Sequence, residues 1–250
     1  RWLKAYEIPV ASRGAKGKAI VNLLSFTEGE AISSIVAVKE FAEDQFLVMA
    51  TAQGNVKKTK LSAFGNPRKG GIVGITLDEG DELIGTSVSG GKHEILLATR
   101  LGKALRFPEK LIRDTGRAAR GVRGIRLQKD DRVVSLQVFP TDIEKTGSAL
   151  LTVTSLGFAK RSGFGDYRLQ SRGGKGVINI KATSQNGPVI GTLAVTEEDE
   201  IMAVTKNGMI VRSPVKDIRE TGRSTQGVRL IALEKGDVVS SVANVVAKDE

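Results

Sequence analysis

The chain has 250 residues, no cysteine, and 38 lysines and arginines against 28 aspartates and glutamates, giving a net charge of +10. The missing cysteines exclude a disulfide framework and any thiolate metal site, which fits a reducing compartment. No apolar run approaches the roughly 18 residues of a membrane span and no signal peptide opens the chain, so the composition reads as a soluble protein with no membrane partner.

In chain order, a phrase GKAIVNL at Gly17 follows a first short strand that begins at Trp2. The phrase returns as GIVGITL at Gly71, GVRGIRL at Gly121, GVINIKA at Gly176 and GVRLIAL at Gly227, at intervals of 54, 50, 55 and 51 residues. A second phrase, Gly-x-apolar-x-basic, keeps step with it at Gly54, Gly102, Gly157 and Gly208. Each of these glycines follows a threonine three residues earlier, at Thr51, Thr99, Thr154 and Thr205. Periods of this length belong to solenoids, propellers or arrays.

Each unit reads as four short strands; residues 81–127, for example, give strands at 83–88, 94–99, 104–107 and 122–127. These are runs of β-branched and aliphatic residues between Gly, Asn and Asp turns, and no stretch holds a helical period. The alternation of Val73, Ile75 and Leu77, and of Ile178, Ile180 and Ala182, predicts one apolar face per closing strand, with Thr76 and Lys181 opposite. Four strands per repeat is the blade pattern of a propeller, in which neighbours bury faces that one blade could not bury alone. The expectation is one all-β domain over residues 1–250: a partial blade at 1–24, complete blades at 30–77, 81–127, 131–182 and 187–233, and a last strand at 238–245. The chain enters in the third strand of a unit and ends on a first strand. Either a segment upstream is expected, or the two ends combine into one blade lacking a strand.

The basic residues also repeat. The position four after the turn glycine is Lys58, Arg106, Arg161 and Arg212, with Lys4 in the same place in the first unit. The loop before each closing phrase carries Arg13 and Lys16, Arg68 and Lys69, Arg117 and Arg120, Arg172 and Lys175, and Arg223. Equivalent positions in successive blades share one rim, so one cation per repeat predicts a belt suited to a polyanion, with these side chains at the surface. Glycines beside the cations, as in Arg172-Gly173-Gly174, would add backbone N–H donors for phosphates. Aromatics are only 4% of the chain. Single-strand binders stack bases on aromatic platforms, so a duplex held by its backbone is the better match.

Catalytic constellations are not evident. There is no Walker A sequence, Tyr6 and Tyr167 fall in loop-like contexts, and His93 in the turn after Gly90-Gly91-Lys92 reads as a solvated side chain. The acidic run Asp78, Glu79, Asp81 and Glu82 reads as a charged turn, since Ca²⁺ or Mg²⁺ sites need converging oxygens at defined offsets.

With these residues in view, SRGAKGKAIVNLL (12–24), NVKKT (55–59), DELIGTSVSGG (81–91), TGRAARGVRGIRL (115–127), RGGKGVINIK (172–181) and GRSTQGVRLIAL (222–233) resemble the C-terminal domain of the A subunit of bacterial DNA gyrase, a type IIA topoisomerase. The resemblance implies a six-bladed β-pinwheel, a propeller relative, that wraps duplex DNA around its basic rim. The domain itself would hold no catalytic residue, metal or cofactor. The whole A2B2 enzyme, in which the N-terminal cleavage part of the same chain joins the B subunit of gyrase, would use ATP and Mg to introduce negative supercoils in the bacterial cytoplasm, at the nucleoid. The family's box, Gln-Arg-Arg-Gly-Gly-Lys-Gly, has a relative at residues 170–176, with Ser171 in the second position and in a later blade, where it reads as the ordinary loop of its repeat. Two alternatives stand beside this reading: the equivalent domain of topoisomerase IV, and a propeller platform for an acidic protein partner.

Overall fold

The computed structural model describes residues 3–12, 14–24, 26, 30–66 and 71–245. Among them are fifteen β-strands and short 3₁₀ turns, with no α-helix. The strands are β1 (Phe46–Thr51), β2 (Asn55–Lys60), β3 (Leu83–Ser89), β4 (His93–Thr99), β5 (Lys103–Pro108), β6 (Val122–Arg123), β7 (Val133–Pro140), β8 (Ala149–Thr154), β9 (Phe158–Gly163), β10 (Val177–Ile178), β11 (Val189–Val195), β12 (Glu200–Thr205), β13 (Ile210–Pro214), β14 (Val228–Arg229) and β15 (Val239–Val245). They form four blades arranged like a propeller, with sheet orders β3-β1-β2-β6, β7-β4-β5-β10, β11-β8-β9-β14 and β15-β12-β13.

These orders correct the sequence-based blade boundaries. A sequence unit is not a sheet: residues 81–127 give β4 and β5 to the second sheet but β3 and β6 to the first. In the first three sheets the hairpin of one unit is clasped between the first strand and the closing strand of the next, so each is built from two consecutive repeats; in the fourth, the β12–β13 hairpin is joined by the first strand β15 alone. The closing strands are also shorter than expected, with two paired residues each. The first two closing phrases form no strand among the described residues. Ile20–Asn22 is a 3₁₀ turn, and Val73 and Leu77 are exposed instead of sharing a buried face. The fourth sheet has three strands, so the expected four complete four-stranded repeats become three four-stranded sheets and one of three strands.

The repeated glycines explain how the exchange is held. In the turn between β8 and β9, Gly157 has φ 79°, the left-handed region that glycine enters without steric cost. Its carbonyl accepts the N–H groups of Leu230 (2.8 Å) and Ile231 (3.1 Å) from the next closing segment. Gly54 and Gly102 receive Gly124 with Ile125, and Asn179 with Ile180, in the same way. The repeated threonine closes the turn: Thr51, Thr99 and Thr205 Oγ1 accept the N–H of Asn55, Lys103 and Met209 at 3.1–3.2 Å.

The acidic turns hold the preceding hairpin from outside. Asp81, Asp131 and Asp237 Oδ1 accept the N–H of Gln53 (2.9 Å), Leu101 (2.9 Å) and Asn207 (3.1 Å), each one residue before a turn glycine. Asp131→Ala should therefore cost about 1 kcal/mol, read by denaturant unfolding. A hydrogen bond from Thr205, helped by backbone N–H groups, holds the Asp237 carboxyl below the usual carboxylate value. Its stabilisation is present above the unfolded-chain pKa and is lost as pH falls through the lower folded value. The advantage of the parent over Asp237→Asn should accordingly disappear in acid unfolding.

Successive sheets share apolar cores. Val48, Ala50 and Val56 of the first sheet meet Ile95, Leu97, Leu105 and Phe107 of the second. Leu96, Ala98 and Ala104 meet Leu150 and Phe164 across the second joint, and Leu151, Val153 and Ala159 meet Ile201 and Ala203 across the third. The first strands β3, β7, β11 and β15 pack against one another in turn, with Gln137 Nε2 donating to the Thr192 carbonyl at 2.7 Å. They make the inner side of the ring, which leaves β6, β10 and β14 on its outer perimeter.

Candidate nucleic-acid interface

Among the described residues, three basic loops run along that perimeter because each must return from its own hairpin to the edge of the preceding sheet. Residues 109–121 leave β5 and meet β2 through a parallel bridge between Lys58 and Asp114. Residues 164–176 and 215–227 repeat this, with bridges Arg106 to Leu169 and Arg161 to Glu220. The N–H groups of Thr115, Gln170 and Thr221 donate to the carbonyls of Lys58, Arg106 and Arg161 at 2.9–3.0 Å. Further along, Ala119, Gly174 and Thr225 carbonyls accept the N–H groups of Thr76, Arg126 and Lys181 from the preceding closing segment. Loop and closing segment thus form one hydrogen-bonded path that passes from blade to blade.

The cations expected as a surface belt four residues after the turn glycine are not on the surface in three of the four sheets. Lys58, Arg106 and Arg161 are 6, 4 and 5% exposed. Arg106 Nε donates to Glu94 at 2.6 Å, and its Nη1 to Glu144 at 2.5 Å and the Phe164 carbonyl at 2.8 Å. Arg161 donates to the Ile218 carbonyl at 2.6 Å and pairs with Glu197 at 3.1 Å. Lys58 pairs with Asp114 at 3.2 Å and Glu109 at 3.7 Å. Their position is covered by the incoming segment of the next unit, so each cation fastens that segment down and is unavailable to a ligand. Arg212 lies on β13, which no closing strand covers here; its side chain stays 59% exposed and pairs with Glu200. Lys4 is exposed, but lies before the 3₁₀ turn Ala5–Glu7 and not on a strand.

The loop cations divide differently. Lys16, Arg120 and Lys175 are exposed, Arg120 with Asp78 at 2.6 Å. Arg172 and Arg223 are half-buried and act as staples: Arg172 donates to the carbonyls of Leu111 (3.2 Å) and Arg123 (2.5 Å), Arg223 to that of Ile178 (3.0 Å). Arg117 is half-buried, and its carbonyl accepts the ammonium of Lys57. Arg13, Arg68 and Lys69 lie outside the described residues. The glycine amides are also less free than expected, for Gly173 N–H already donates to the Gly124 carbonyl at 2.7 Å. Residues 170–176 share with the segments before Gly121 and Gly227 the N–H bond to the preceding hairpin and the bond accepted from the preceding closing segment, and add the Gly173 bond and the Arg172 bond to Leu111.

Sequence reasoning did not count Arg123, Arg126, Lys181 or Arg229 among the ligand-binding cations, although it placed Lys181 opposite an apolar face; all four are exposed on the closing segments of the perimeter. Alternation could have found only Arg126 and Lys181, which follow the phrase glycine by five residues, opposite the apolar run; Arg123 and Arg229 follow it by two, the register position of Ile178. Arg113, Arg168 and Arg219 add exposed charge on the loops. One other reading changes. His93 is not a solvated loop residue but begins β4, half-buried, with Nδ1 accepting the Gly90 N–H at 3.2 Å. Tyr167 is buried, its hydroxyl donating to Asn179 Oδ1 at 2.6 Å, and burial raises its pKa.

Exchanged four-stranded blades, an inner ring of first strands and a cationic outer path define a class of propeller-like all-β domain with a basic perimeter. The chain belongs to the DNA gyrase C-terminal domain family. The family's model, described as the DNA gyrase C-terminal domain, beta-propeller, matches residues 1–39, 45–89, 93–140, 148–196 and 199–245. The DNA gyrase A subunit of Salmonella typhimurium is 45% identical over 98% of the chain and 27% of its own length. Its counterpart from Neisseria gonorrhoeae is 38% identical over the whole chain and 31% of its length. The chain therefore spans under a third of these curated relatives. Among solved structures, a DNA gyrase A C-terminal domain aligns with TM-score 0.84 and 25% identity over 98% of this chain and 78% of its own. The C-terminal domain of DNA topoisomerase IV aligns with TM-score 0.85 and 26% identity over 93% of this chain and 72% of its own.

Proposed function

We propose that this domain wraps duplex DNA along its outer perimeter through backbone contacts that carry little base readout. The observation that supports this most directly is the continuous path of loop and closing segment, which exposes Arg113, Arg123, Arg126, Arg168, Lys175, Lys181, Arg219 and Arg229 from successive blades. A duplex bent by 40–90° over 20–30 base pairs costs about 1–6 kcal/mol of elastic energy, which several phosphate contacts can offset. Sequence preference then arises from bendability. In the longer protein the wrapped duplex would present a crossing to the cleavage part of the same chain and to the B subunit of gyrase. ATP and Mg would act there, in the bacterial cytoplasm at the nucleoid, and this domain would need neither.

The test is a duplex titration at several salt concentrations. Affinity should fall roughly 10³-fold or more between 50 and 200 mM salt, and each perimeter substitution such as Arg126→Ala or Lys181→Ala should reduce the log–log salt slope by about 1. Affinity should also require a minimum duplex length. A flat salt response, or binding indifferent to duplex length, would instead favour a platform for an acidic protein partner.

A further inference from the structure

Two lysines are fully buried in the third position after a turn glycine, Lys57 on β2 and Lys160 on β9. The same position holds Leu105 in the second sheet and Val211 in the fourth, so an apolar residue suffices there for a blade to form. Among the described residues, neither lysine has a carboxylate hydrogen-bond partner. The Lys57 ammonium donates to the carbonyls of Arg117 and of Gly74, the latter at 2.5 Å. Lys160 Nζ donates to Ser162 Oγ (2.6 Å) and the Gly222 carbonyl (3.3 Å), and Ser162 Oγ donates in turn to the Thr221 carbonyl (2.7 Å). Arg117, Thr221 and Gly222 belong to the perimeter loops. Each ammonium therefore draws the backbone of one basic loop inward from beneath. In the second sheet, Leu105 lies under Gly174, in van der Waals range of where a Cβ there would stand.

We propose that Lys57 and Lys160 are positioning residues for the DNA-binding perimeter, each fixing one loop by its backbone so that the loop's own cations face outward. This rests on the DNA-wrapping reading above. It also adds a positive charge beneath the ligand path in two alternate blades. Burial lowers both lysines to about 8. Among the charged and titratable neighbours, Arg117 lowers Lys57 further, while Lys160 is raised by Asp166 and lowered by Arg223, beside the buried Tyr167. Charged donors make stronger hydrogen bonds than neutral ones, so the hold on each loop weakens as pH rises through 8. A bound polyanion favours the charged ammonium, so duplex binding near pH 8 should take up protons. The sign for stability is opposite. The unfolded chain keeps its lysine protons to about 10.5, so these two groups make the fold more stable between pH 8 and that value, and alkaline weakening of binding is not unfolding.

The experiment compares the parent with Lys57→Leu, Lys160→Leu and the double variant, substitutions that copy the residue already accommodated at position 105. Duplex affinity is measured at pH 7 and pH 9 at one salt concentration, and amide hydrogen exchange is followed in both loops. The double variant should bind about five- to tenfold more weakly than the parent at pH 7. The parent should approach the variant by pH 9, while the variant's own affinity changes little. Lys57→Leu alone should speed exchange at residues 114–120 and leave 220–226 unchanged, with Lys160→Leu doing the reverse. Unchanged affinity and unchanged loop exchange in the double variant would overturn the inference. If the parent binds no duplex, the DNA reading fails instead. Loop exchange then decides this inference by itself, faster exchange supporting it and unchanged exchange overturning it.

Discussion

Arg106→Ala is expected to destabilise the domain by about 3–5 kcal/mol, the cost of removing one partner from a buried charge network. The guanidinium is enclosed by Glu94, Glu144 and the Phe164 and Tyr167 carbonyls, and lies 5.7 Å from the Phe139 ring centroid. Without it, the buried Glu94 loses the ion-pair partner it has among the described residues, and two carbonyls of the following unit lose their donor. Arg212→Ala at the same repeat position is the control. Arg212 is largely exposed, so its pair with Glu200 contributes within about 1 kcal/mol. Denaturant unfolding of the two variants separates a structural cation from a surface one. Equal losses would show that the incoming segment is not held by Arg106. A reading of position 106 as simple surface charge would instead place its cost within about 0.5 kcal/mol.

Gly157→Ala should be at least as damaging, while Gly208→Ala should be mild. Both glycines have left-handed backbones, with φ 79° and 89°, so both variants incur a similar left-handed cost of roughly 1–2 kcal/mol. The difference lies in what crosses the turn. A Cβ on Gly157 would lie 2.6 Å from the Ile231 carbonyl oxygen, whereas one on Gly208 meets nothing within 4 Å. Alanine at 157 must push away the closing segment whose Leu230 and Ile231 N–H groups dock on that turn. Two buried hydrogen bonds are then strained together with the core contact of Ile231, for a total loss of about 4 kcal/mol or more. Thermal unfolding of both variants, with amide exchange at residues 228–231, should show that segment released only in Gly157→Ala.

The sequence by itself determined the class of structure, the period and most strand positions. The hairpins β4–β5, β8–β9 and β12–β13 fall on the apolar runs around the Thr-x-x-Gly turns because these signals are local: a β-rich run, a threonine that closes the turn, and a glycine able to take positive φ. The residues that resemble the gyrase domain also lay in plain view. Which strands pair was decided only by the tertiary structure. The sequence of residues 81–127 is equally consistent with one self-contained sheet or with strands shared between two, since strand propensity does not encode a partner. The exchange follows from loops long enough to run back to the preceding blade, and from bare glycine carbonyls that receive them. The same ambiguity governed the cations. Lys58, Arg106, Arg161 and Arg212 obey one spacing rule, yet three are buried under the next unit and one is exposed. Arg123, Arg126, Lys181 and Arg229 occupy two different positions of the closing phrase, yet all four are exposed on the outer edge. Charge is written in the sequence residue by residue. Whether a charge meets a carboxylate inside or a ligand outside depends on which segment covers it, and that is set by contacts between residues far apart in the chain.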